Sequence, residues 1–246
     1  MDETMRMKLK QLRLWWLLDH WDEWLARSRK SRSSAVRLLA DVIDEEYRCR
    51  QQRALAFRLK RARIPEPYVM ATYPFTKQPR LDRKKVLGIY DSFDYIEKKR
   101  DIVLCGPTSV GKSGLATAYL TRAIERGCRG RFVKFVDLIA ELYASIADHT
   151  QKNVLRRYAR FDCLLIDEMG YIEIEPTQAG LFFTLMQTRH KRRTTIITSN
   201  LGFGEWNSLF KNEHLTAALL ARLTETSYVF NMIKCRPIRT VLEKDL

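Results

Sequence analysis

The stretch IVLCGPTSVGKS, residues 102–113, decides the fold of this chain. Its first four residues form the short apolar run of a buried strand, and residues 113–126 show the apolar spacing of a helix. The residues between them fit the pattern G-x-x-x-x-G-K-[S/T], in which a glycine-bearing loop wraps around phosphate groups. We therefore predict a phosphate-binding loop at residues 106–113.

Each position of this loop has a chemical role in binding ATP. Lys112 is expected to reach the β- and γ-phosphates, and the Ser113 hydroxyl to bind Mg²⁺. Backbone N–H groups of the loop and of the helix that follows face the anion. The predicted nucleotide-binding residues are Gly106, Pro107, Thr108, Ser109, Val110, Gly111, Lys112, Ser113 and Gly114. A glycine turn that happens to precede Lys-Ser is the alternative, and the flanking strand and helix argue against it.

A second apolar run, residues 161–166, ends in two adjacent carboxylates. Asp167 is predicted to hold Mg²⁺ together with Ser113, and Glu168 to deprotonate the attacking water. A lone Asp would suit many kinases and small GTPases, whereas the added Glu favours hydrolysis of ATP by water. Two surface acids that happen to follow a strand are the structural alternative.

A further predicted strand, residues 194–198, has a polar end where a buried strand should end apolar, and Asn200 lies at that end, where open α/β sheets bind their ligands. Its amide is a candidate for positioning the lytic water near the γ-phosphate. An asparagine that only starts the next turn is the alternative, because Gly202 and Gly204 follow closely.

Strands and helices alternate through the C-terminal part of the chain. Apolar runs predict further strands at residues 132–136 and 227–233, and Asp137 is a candidate cap for the helix after residue 136. Continuous apolar strands that alternate with helices are typical of a parallel sheet covered on both faces. We predict an α/β domain with five strands.

The N-terminal part has a different pattern. Residues 5–63 show the apolar spacing of two or three amphipathic helices, and four prolines at 65–79 then mark a linker. We predict a small all-helical domain at 1–66, a linker and entry segment at 67–100, and the nucleotide-binding domain at 101–246.

The charge of the chain points to a polyanionic partner. Lys and Arg number 44 against 29 Asp and Glu, a net charge of +15, and nucleic acid is the usual partner of such a surplus. No acidic residue stands between Glu46 and Glu66 in the arginine-rich helix. The predicted DNA contacts are Arg48, Arg50, Arg53, Arg58, Lys60, Arg61 and Arg63, with Lys152, Arg156 and Arg157 as a second set. A basic surface that serves only solubility is the alternative.

No run approaches the roughly 18 apolar residues of a membrane helix, and the N-terminus lacks the order of a signal peptide, so the expected compartment is the cytoplasm. The five cysteines have no paired spacing. This spacing favours buried thiols over a disulfide framework or a zinc site.

Several motifs together resemble a known family. They are RARIPEP at 61–67 with the arginine-rich helix before it, the loop at 106–113, LIDEMGY at 165–171, TSNL at 198–201, FGEW at 203–206 and ARL at 221–223. On these residues, from Leu12 to Arg239, the chain resembles the IstB-like transposition helper ATPases of bacterial insertion sequences. These are AAA+ proteins related to the DnaA and DnaC group of initiators and helicase loaders. Many ATPases share the loop motif, whereas the order DEMGY, TSNL, EW is more particular to this family.

The resemblance implies an AAA+ fold with strand order 5-1-4-3-2 and binding of ATP and Mg²⁺ between neighbouring subunits. It also implies assembly on double-stranded DNA and recruitment of a partner transposase, with hydrolysis controlling disassembly. Arg222 is implied as the arginine supplied to a neighbouring subunit's γ-phosphate, and Arg239 as one acting within its own subunit. The segment CRPIR at 235–239 departs from the family's Ser-Tyr-Arg, which leaves the register of Arg239 open.

The sequence is also compatible with three other functions. A replicative helicase loader would share the same ATP site. A DNA scaffold gated by nucleotide binding would need no turnover. A small-molecule kinase fits least, because Glu168 and Asn200 suit water as the nucleophile and no acceptor pocket is evident in the sequence.

Overall fold

The computed structural model describes residues 1–30 and 34–238 of the chain. They form two compact units, which divide between Phe57 and Arg58. The division into domains at 1–66, 67–100 and 101–246 stays a prediction.

The first unit is made of helices: α1 (Glu3–Leu12), α2 (Trp15–Asp19), α3 (Trp21–Lys30) and the larger part of α4 (Ala35–Ala62). Two or three helices were predicted here, and the structure has four, because the chain turns at Arg13 in the left-handed conformation and again at His20. Leu9, Leu17 and Val42 form a small core, and three tryptophans pack against it.

Two helices stand where the sequence predicted only a linker and entry segment. They are α5 (Arg83–Ser92) and α6 (Asp94–Glu97), and they follow two short 3₁₀ turns at Met70–Thr72 and Phe75–Lys77. The Asp82 carboxylate accepts a hydrogen bond from the Lys85 backbone N–H at 2.9 Å and so caps α5. This cap is a local signal that the sequence analysis overlooked.

The second unit is built on a parallel sheet of five strands: β1 (Ile102–Cys105), β2 (Gly130–Lys134), β3 (Cys163–Met169), β4 (Thr194–Ser199) and β5 (Tyr228–Asn231). Their order is β2-β3-β4-β1-β5. From the other side this is 5-1-4-3-2, so the predicted order is confirmed. Helices flank the sheet: α7 (Lys112–Glu125), α8 (Phe135–Ala147), α9 (Gln151–Ala159), α10 (Pro176–Arg189), α11 (Trp206–Phe210) and α12 (Glu213–Thr226).

The predicted end of the second strand was wrong. β2 ends at Lys134, and Phe135 with Val136 begins α8, so Asp137 lies in the first turn of that helix rather than at its cap. Phe135 is fully buried. A short apolar run fits a buried strand and a buried helix turn equally well, and the sequence period could not separate them here.

Parallel strands place all their carboxyl ends at one edge of the sheet. We call the carboxyl ends of β1, β3 and β4 the nucleotide edge, and the amino ends of β2 and β3 the opposite edge. Cys105 and Cys163 are buried in β1 and β3, as their apolar surroundings predicted. Within residues 1–30 and 34–238, no helix is both long and apolar enough to cross a membrane.

Candidate nucleotide site

The loop at residues 106–111 leaves β1 and enters α7, as predicted. Gly111 caps the helix at φ +93°, a conformation that side chains rarely adopt. A Cβ at this position would lie 2.5 Å from Ile238 Cδ1 and 2.8 Å from Tyr73 Oη. Glycine is therefore required at this position for two reasons: the turn needs its backbone conformation, and the side chains of Ile238 and Tyr73 leave no room for a Cβ.

Lys112 lies beneath the loop that it follows. Its Nζ donates to the carbonyl oxygens of Gly106 at 2.7 Å and Pro107 at 2.6 Å, and the side chain is buried. Burial lowers the pKa of this ammonium, and the Asp167 carboxylate partly offsets the effect. A buried ammonium held against the carbonyl oxygens of this loop is suited to an anionic ligand bound at the same loop.

Asp167 is the centre of a buried hydrogen-bond network. Its Oδ1 accepts from the Ser113 hydroxyl at 2.9 Å and from the Thr198 hydroxyl. Thr198 Oγ1 in turn accepts from the backbone N–H of Glu168 at 3.0 Å. Burial raises the pKa of Asp167, and the two hydroxyl donors act against that rise. The structure thus brings the two predicted Mg²⁺ residues together.

Thr198 is a site residue that the sequence analysis did not assign. It lies in β4, next to β3 in the sheet, and is fully buried. Its signal in the sequence is a polar residue near the end of a buried strand, which is also the signal that marks Asn200.

Glu168 lies at a kink near the end of β3. Its φ is +62°, and the strand register with β4 shifts between Ile166 and Met169. The carboxylate forms an ion pair with Lys134 Nζ at 2.8 Å, and both side chains are partly exposed. Lys134 is the last residue of β2, and nothing in the sequence motif marks it as a partner of Glu168.

Asn200 lies directly after β4 on the nucleotide edge. Its Oδ1 is buried and has no hydrogen-bond partner among the described residues. Gly170, at φ +108°, lies so close that a Cβ there would overlap this oxygen. A buried amide oxygen without a partner is the kind of group that a bound water or ligand satisfies.

Gln78 and Ile238, both outside the motif, form hydrogen bonds with the loop. Gln78 Nε2 donates to the backbone oxygens of Val110 at 3.1 Å and Arg236 at 2.5 Å. The backbone N–H of Ile238 donates to the Ser109 oxygen at 2.7 Å. Segments before and after the sheet therefore hold the loop in shape, and the spacing of the motif gave no sign of them.

The residues fit a divalent ion held partly by phosphate. Ser113 and Asp167 offer two oxygen ligands, and no group of three or more His, Cys, Asp or Glu side chains suited to a metal occurs among the described residues. Mg²⁺ commonly takes one or two protein oxygens and completes its shell with substrate phosphates and water. The donor set therefore fits Mg²⁺ bound with a nucleotide.

The structure describes one of the two arginines that the family resemblance implies, Arg222, but not the other, Arg239. Arg222 Nη1 donates to the Ala218 oxygen at 2.9 Å, and its guanidinium lies 4.9 Å from the centre of the Phe183 ring. These contacts are with α12 and α10, and none is with the phosphate-binding loop. Arg239 lies outside the described residues.

The predicted DNA contacts divide between the two units. In the first, Arg48 pairs with Glu45, and Arg53 pairs with Asp19 at 3.2 Å; Arg50 is exposed. In the second, Arg58 donates to the Ile124 oxygen, while Lys60 and Arg63 are exposed.

The remaining contacts lie in the second unit. Lys152 is exposed on α9, and Arg61, Arg156 and Arg157 line one hollow.

Comparison with known proteins places the chain in a family. The family model described as IstB-like ATP binding protein matches residues 7–239. A protein from Pseudomonas aeruginosa, described as ATP-binding in insertion sequence IS21, is 31% identical over 91% of this chain and 84% of its own length. A similarly described protein of IS232 from Bacillus thuringiensis subsp. berliner is 28% identical over 94% of this chain and 92% of its own.

Solved structures show the same fold. The DnaC helicase loader matches with a TM-score of 0.54 at 20% identity, over 68% of this chain and 92% of that one. AMPPCP-bound DnaA from Aquifex aeolicus matches with a TM-score of 0.55 at 17% identity, over 68% of this chain and 50% of that one. The predicted AAA+ fold is therefore confirmed.

Proposed function

This chain belongs to the family of IstB-like ATP binding proteins, and we propose that it is an ATPase that assists DNA transposition. It assembles on duplex target DNA, recruits and stimulates a partner transposase, and hydrolyses ATP to control how long the assembly lasts. Two named relatives come from insertion sequences, which supports transposition as the process it serves.

One observation carries the proposal of ATP hydrolysis. The hydroxyl of Ser113, at the start of α7, meets the Asp167 carboxylate of β3 at 2.9 Å. Glu168 follows Asp167 directly, and Asn200 lies on the same sheet edge with a buried oxygen that lacks a partner. Groups for phosphate, for a divalent ion and for water are thus collected at one edge of the sheet.

Each group has a role in hydrolysis. Lys112 binds the β- and γ-phosphates and places the γ-phosphate at the nucleotide edge. Glu168 accepts the proton of the attacking water, and Asn200 orients that water. Mg²⁺, when bound by Ser113 and Asp167, neutralises charge on the phosphates.

Glu168 must change partner before it can act as the base. In the structure its carboxylate pairs with Lys134, 2.8 Å away. An exposed pair of this kind contributes no more than about 1 kcal/mol. The carboxylate can therefore leave Lys134 for the water at a small energetic cost.

Arg222 and Arg239 are proposed to complete the site after self-association. Arg222 would reach the γ-phosphate of a neighbouring subunit, where a guanidinium stabilises the charge of the transition state. Arg239 would act within its own subunit.

The experiment that tests this function is ATP turnover with and without duplex DNA, paired with electron microscopy of the ATP-bound mixture. We expect duplex DNA to raise turnover, and ATP to produce oligomers on the DNA. The proposal would be overturned if the chain stayed monomeric in ATP and its rate of ATP turnover were the same with and without duplex DNA.

A second candidate is a replicative helicase loader, which the structural match to DnaC favours at the level of fold. A loader would deliver a helicase ring to single-stranded DNA. Stronger stimulation of turnover by single-stranded than by duplex DNA, with binding to a hexameric helicase, would favour the loader. A transposase gene beside the gene for this chain would favour the transposition helper.

A further inference from the structure

A hollow of about 370 Å³ opens at the opposite edge of the sheet, and its walls are dominated by arginine. We call it the arginine pocket. It is lined by Arg61, Arg129, Asn153, Arg156, Arg157, Arg160 and Phe161. Arg129 directly precedes β2, and Phe161 lies two residues before β3, so the pocket is at the amino ends of these strands.

The positive charge of this pocket is only partly neutralised. Arg129 is bound by the Asp162 carboxylate through two nitrogens, at 3.1 Å each, and Arg157 pairs with Glu141. Arg156 and Arg160 are exposed and form no ion pair within residues 1–30 and 34–238.

Nearby residues show the same excess of positive charge. Arg131 in β2 donates to the Arg61 backbone oxygen. Burial lowers the pKa of Arg131, and the charges of Arg63 and Arg157 lower it further. Repulsion among like charges costs the folded protein free energy that a bound polyanion would recover.

The arrangement of the arginines suits phosphate groups along a chain. Asn153, Arg156, Arg157 and Arg160 follow one another at helical spacing on one face of α9 and its C-cap. Arg156 and Arg160 are four residues apart, a rise of about 6 Å. One strand of duplex DNA carries a phosphate about every 3.4 Å along its axis, so this row is long enough for two neighbouring phosphates. Guanidinium groups bind phosphate through paired N–H donors.

We propose that the arginine pocket binds backbone phosphates of duplex DNA. This inference rests on the proposed function, and it names the contact in the second unit that holds the DNA. Because phosphates carry no sequence information, such a contact is suited to a protein that accepts many target sites.

The position of the pocket keeps DNA and ATP apart. β3 runs from the pocket, beside Asp162, to the magnesium residue Asp167 on the nucleotide edge. Five residues of strand span about 17 Å. DNA phosphates at one end of β3 and ATP at the other can therefore be bound at the same time. Substitutions in the arginine pocket should leave the nucleotide site intact.

The test compares the full chain with the double variant Arg156→Ala/Arg160→Ala. Binding of a fluorescent duplex of mixed sequence is followed by anisotropy between about 50 and 200 mM salt. We expect the variant to bind at least about 10-fold more weakly at the lower salt, and its plot of log affinity against log salt to be shallower by about 2. A second variant, Arg156→Lys/Arg160→Lys, retains the charge and should retain most of the salt slope.

Two controls separate a lost contact from a damaged fold. The variant Lys84→Ala/Lys98→Ala removes two exposed lysines at α5 and α6, and it should keep the salt slope of the unaltered chain. ATP turnover without DNA and the melting temperature should be nearly the same in all four proteins. Arg156, Arg160 and Lys84 form no ion pair within the described residues, and the pair between Lys98 and Asp94 is an exposed one worth no more than about 1 kcal/mol.

The outcomes distinguish failure of this inference from failure of the proposed function. If the unaltered chain binds duplex DNA and Arg156→Ala/Arg160→Ala binds it equally well with the same slope, the pocket is not the DNA contact, while the proposed function stands. An acidic segment of a partner protein would then be the better ligand for it. If the unaltered chain fails to bind duplex DNA at all, the proposed function falls and this inference falls with it.

Discussion

The nucleotide edge and the arginine pocket lie at opposite edges of one sheet, with β3 running from one to the other, yet their charged groups are held in different ways. At the nucleotide edge, Asp167 is 4% exposed and is bound by two hydroxyl groups, and Lys112 is 8% exposed. In the arginine pocket, Arg156 and Arg160 are exposed to solvent. At the nucleotide edge, the charged groups are buried, so the free energy of each one depends on the hydrogen bonds that its neighbours provide. In the arginine pocket, the groups are solvated, so the strength of binding depends mainly on their total charge.

This difference predicts how strongly a single substitution should affect each site. Loss of one donor at the nucleotide edge leaves a buried partner without a hydrogen bond, which costs about 1–3 kcal/mol. Loss of one arginine in the pocket removes a solvated charge and leaves no buried group without a partner. We therefore expect sharp effects of single changes at the nucleotide edge and graded effects in the pocket.

The largest effect is expected from Lys112→Ala. The change removes the ammonium that faces the phosphates, so ATP affinity should fall by at least about 100-fold. A fluorescent ATP analogue measures this, with Lys84→Ala as the control. DNA affinity without nucleotide should be unchanged, since the arginine pocket is at the other edge. Retained ATP affinity would show that the loop does not bind phosphate as proposed.

The next effect is expected from Glu168→Gln. Turnover should fall by about 100- to 10,000-fold because the base is lost, while ATP still binds. Release of phosphate and the lifetime of DNA assemblies in ATP are the two measurements, and Glu97→Gln, at an exposed carboxylate, is the control. If turnover stops but the assemblies disperse as fast as before, hydrolysis is not what limits their lifetime.

A smaller effect is expected from Thr198→Val. The valine keeps the volume but removes the donor to Asp167 and the acceptor for the Glu168 N–H, so turnover should fall by about 10-fold. More Mg²⁺ should be needed for half-maximal turnover, which a titration would show. Thr184→Val is the matched control, since that hydroxyl bonds only to the Gly180 oxygen of its own helix. An unchanged requirement for Mg²⁺ would contradict a role for Thr198 in positioning Asp167.

The smallest effect is expected from Lys134→Met. Freeing Glu168 from an exposed ion pair worth up to about 1 kcal/mol should raise turnover by no more than about 5-fold, and stability should hardly change. Steady-state turnover and melting temperature are compared with those of Lys84→Met. Slower turnover in Lys134→Met would mean that the lysine holds Glu168 in its working position rather than away from it.

The predictions that succeeded rest on local patterns. The run at 102–113 predicted strand, loop and helix together, because neighbouring residues build all three. The strand order came from the resemblance, and the structure confirms it. The end of β2 was wrong because Phe135 is as apolar in a buried helix turn as in a strand.

The missed contacts join residues that are distant in the chain. Thr198 reaches Asp167 across 31 positions, and Gln78 reaches Val110 across 32. Nothing in the local sequence around Thr198 or Gln78 predicts which residue it will contact. Both were brought into place by the packing of strands and connecting segments.

The sequence by itself determined that this chain carries a phosphate-binding loop, two adjacent carboxylates after a buried strand, and a surplus of positive charge. These follow from residue type and spacing, which are local properties. Only the tertiary structure decided which hydroxyl holds Asp167, that Lys134 pairs with Glu168, and that arginines from residues 61, 129 and 156–160 meet in one pocket. The physical reason is that a parallel sheet gathers its strand ends at two edges, and so brings together residues that no local pattern connects.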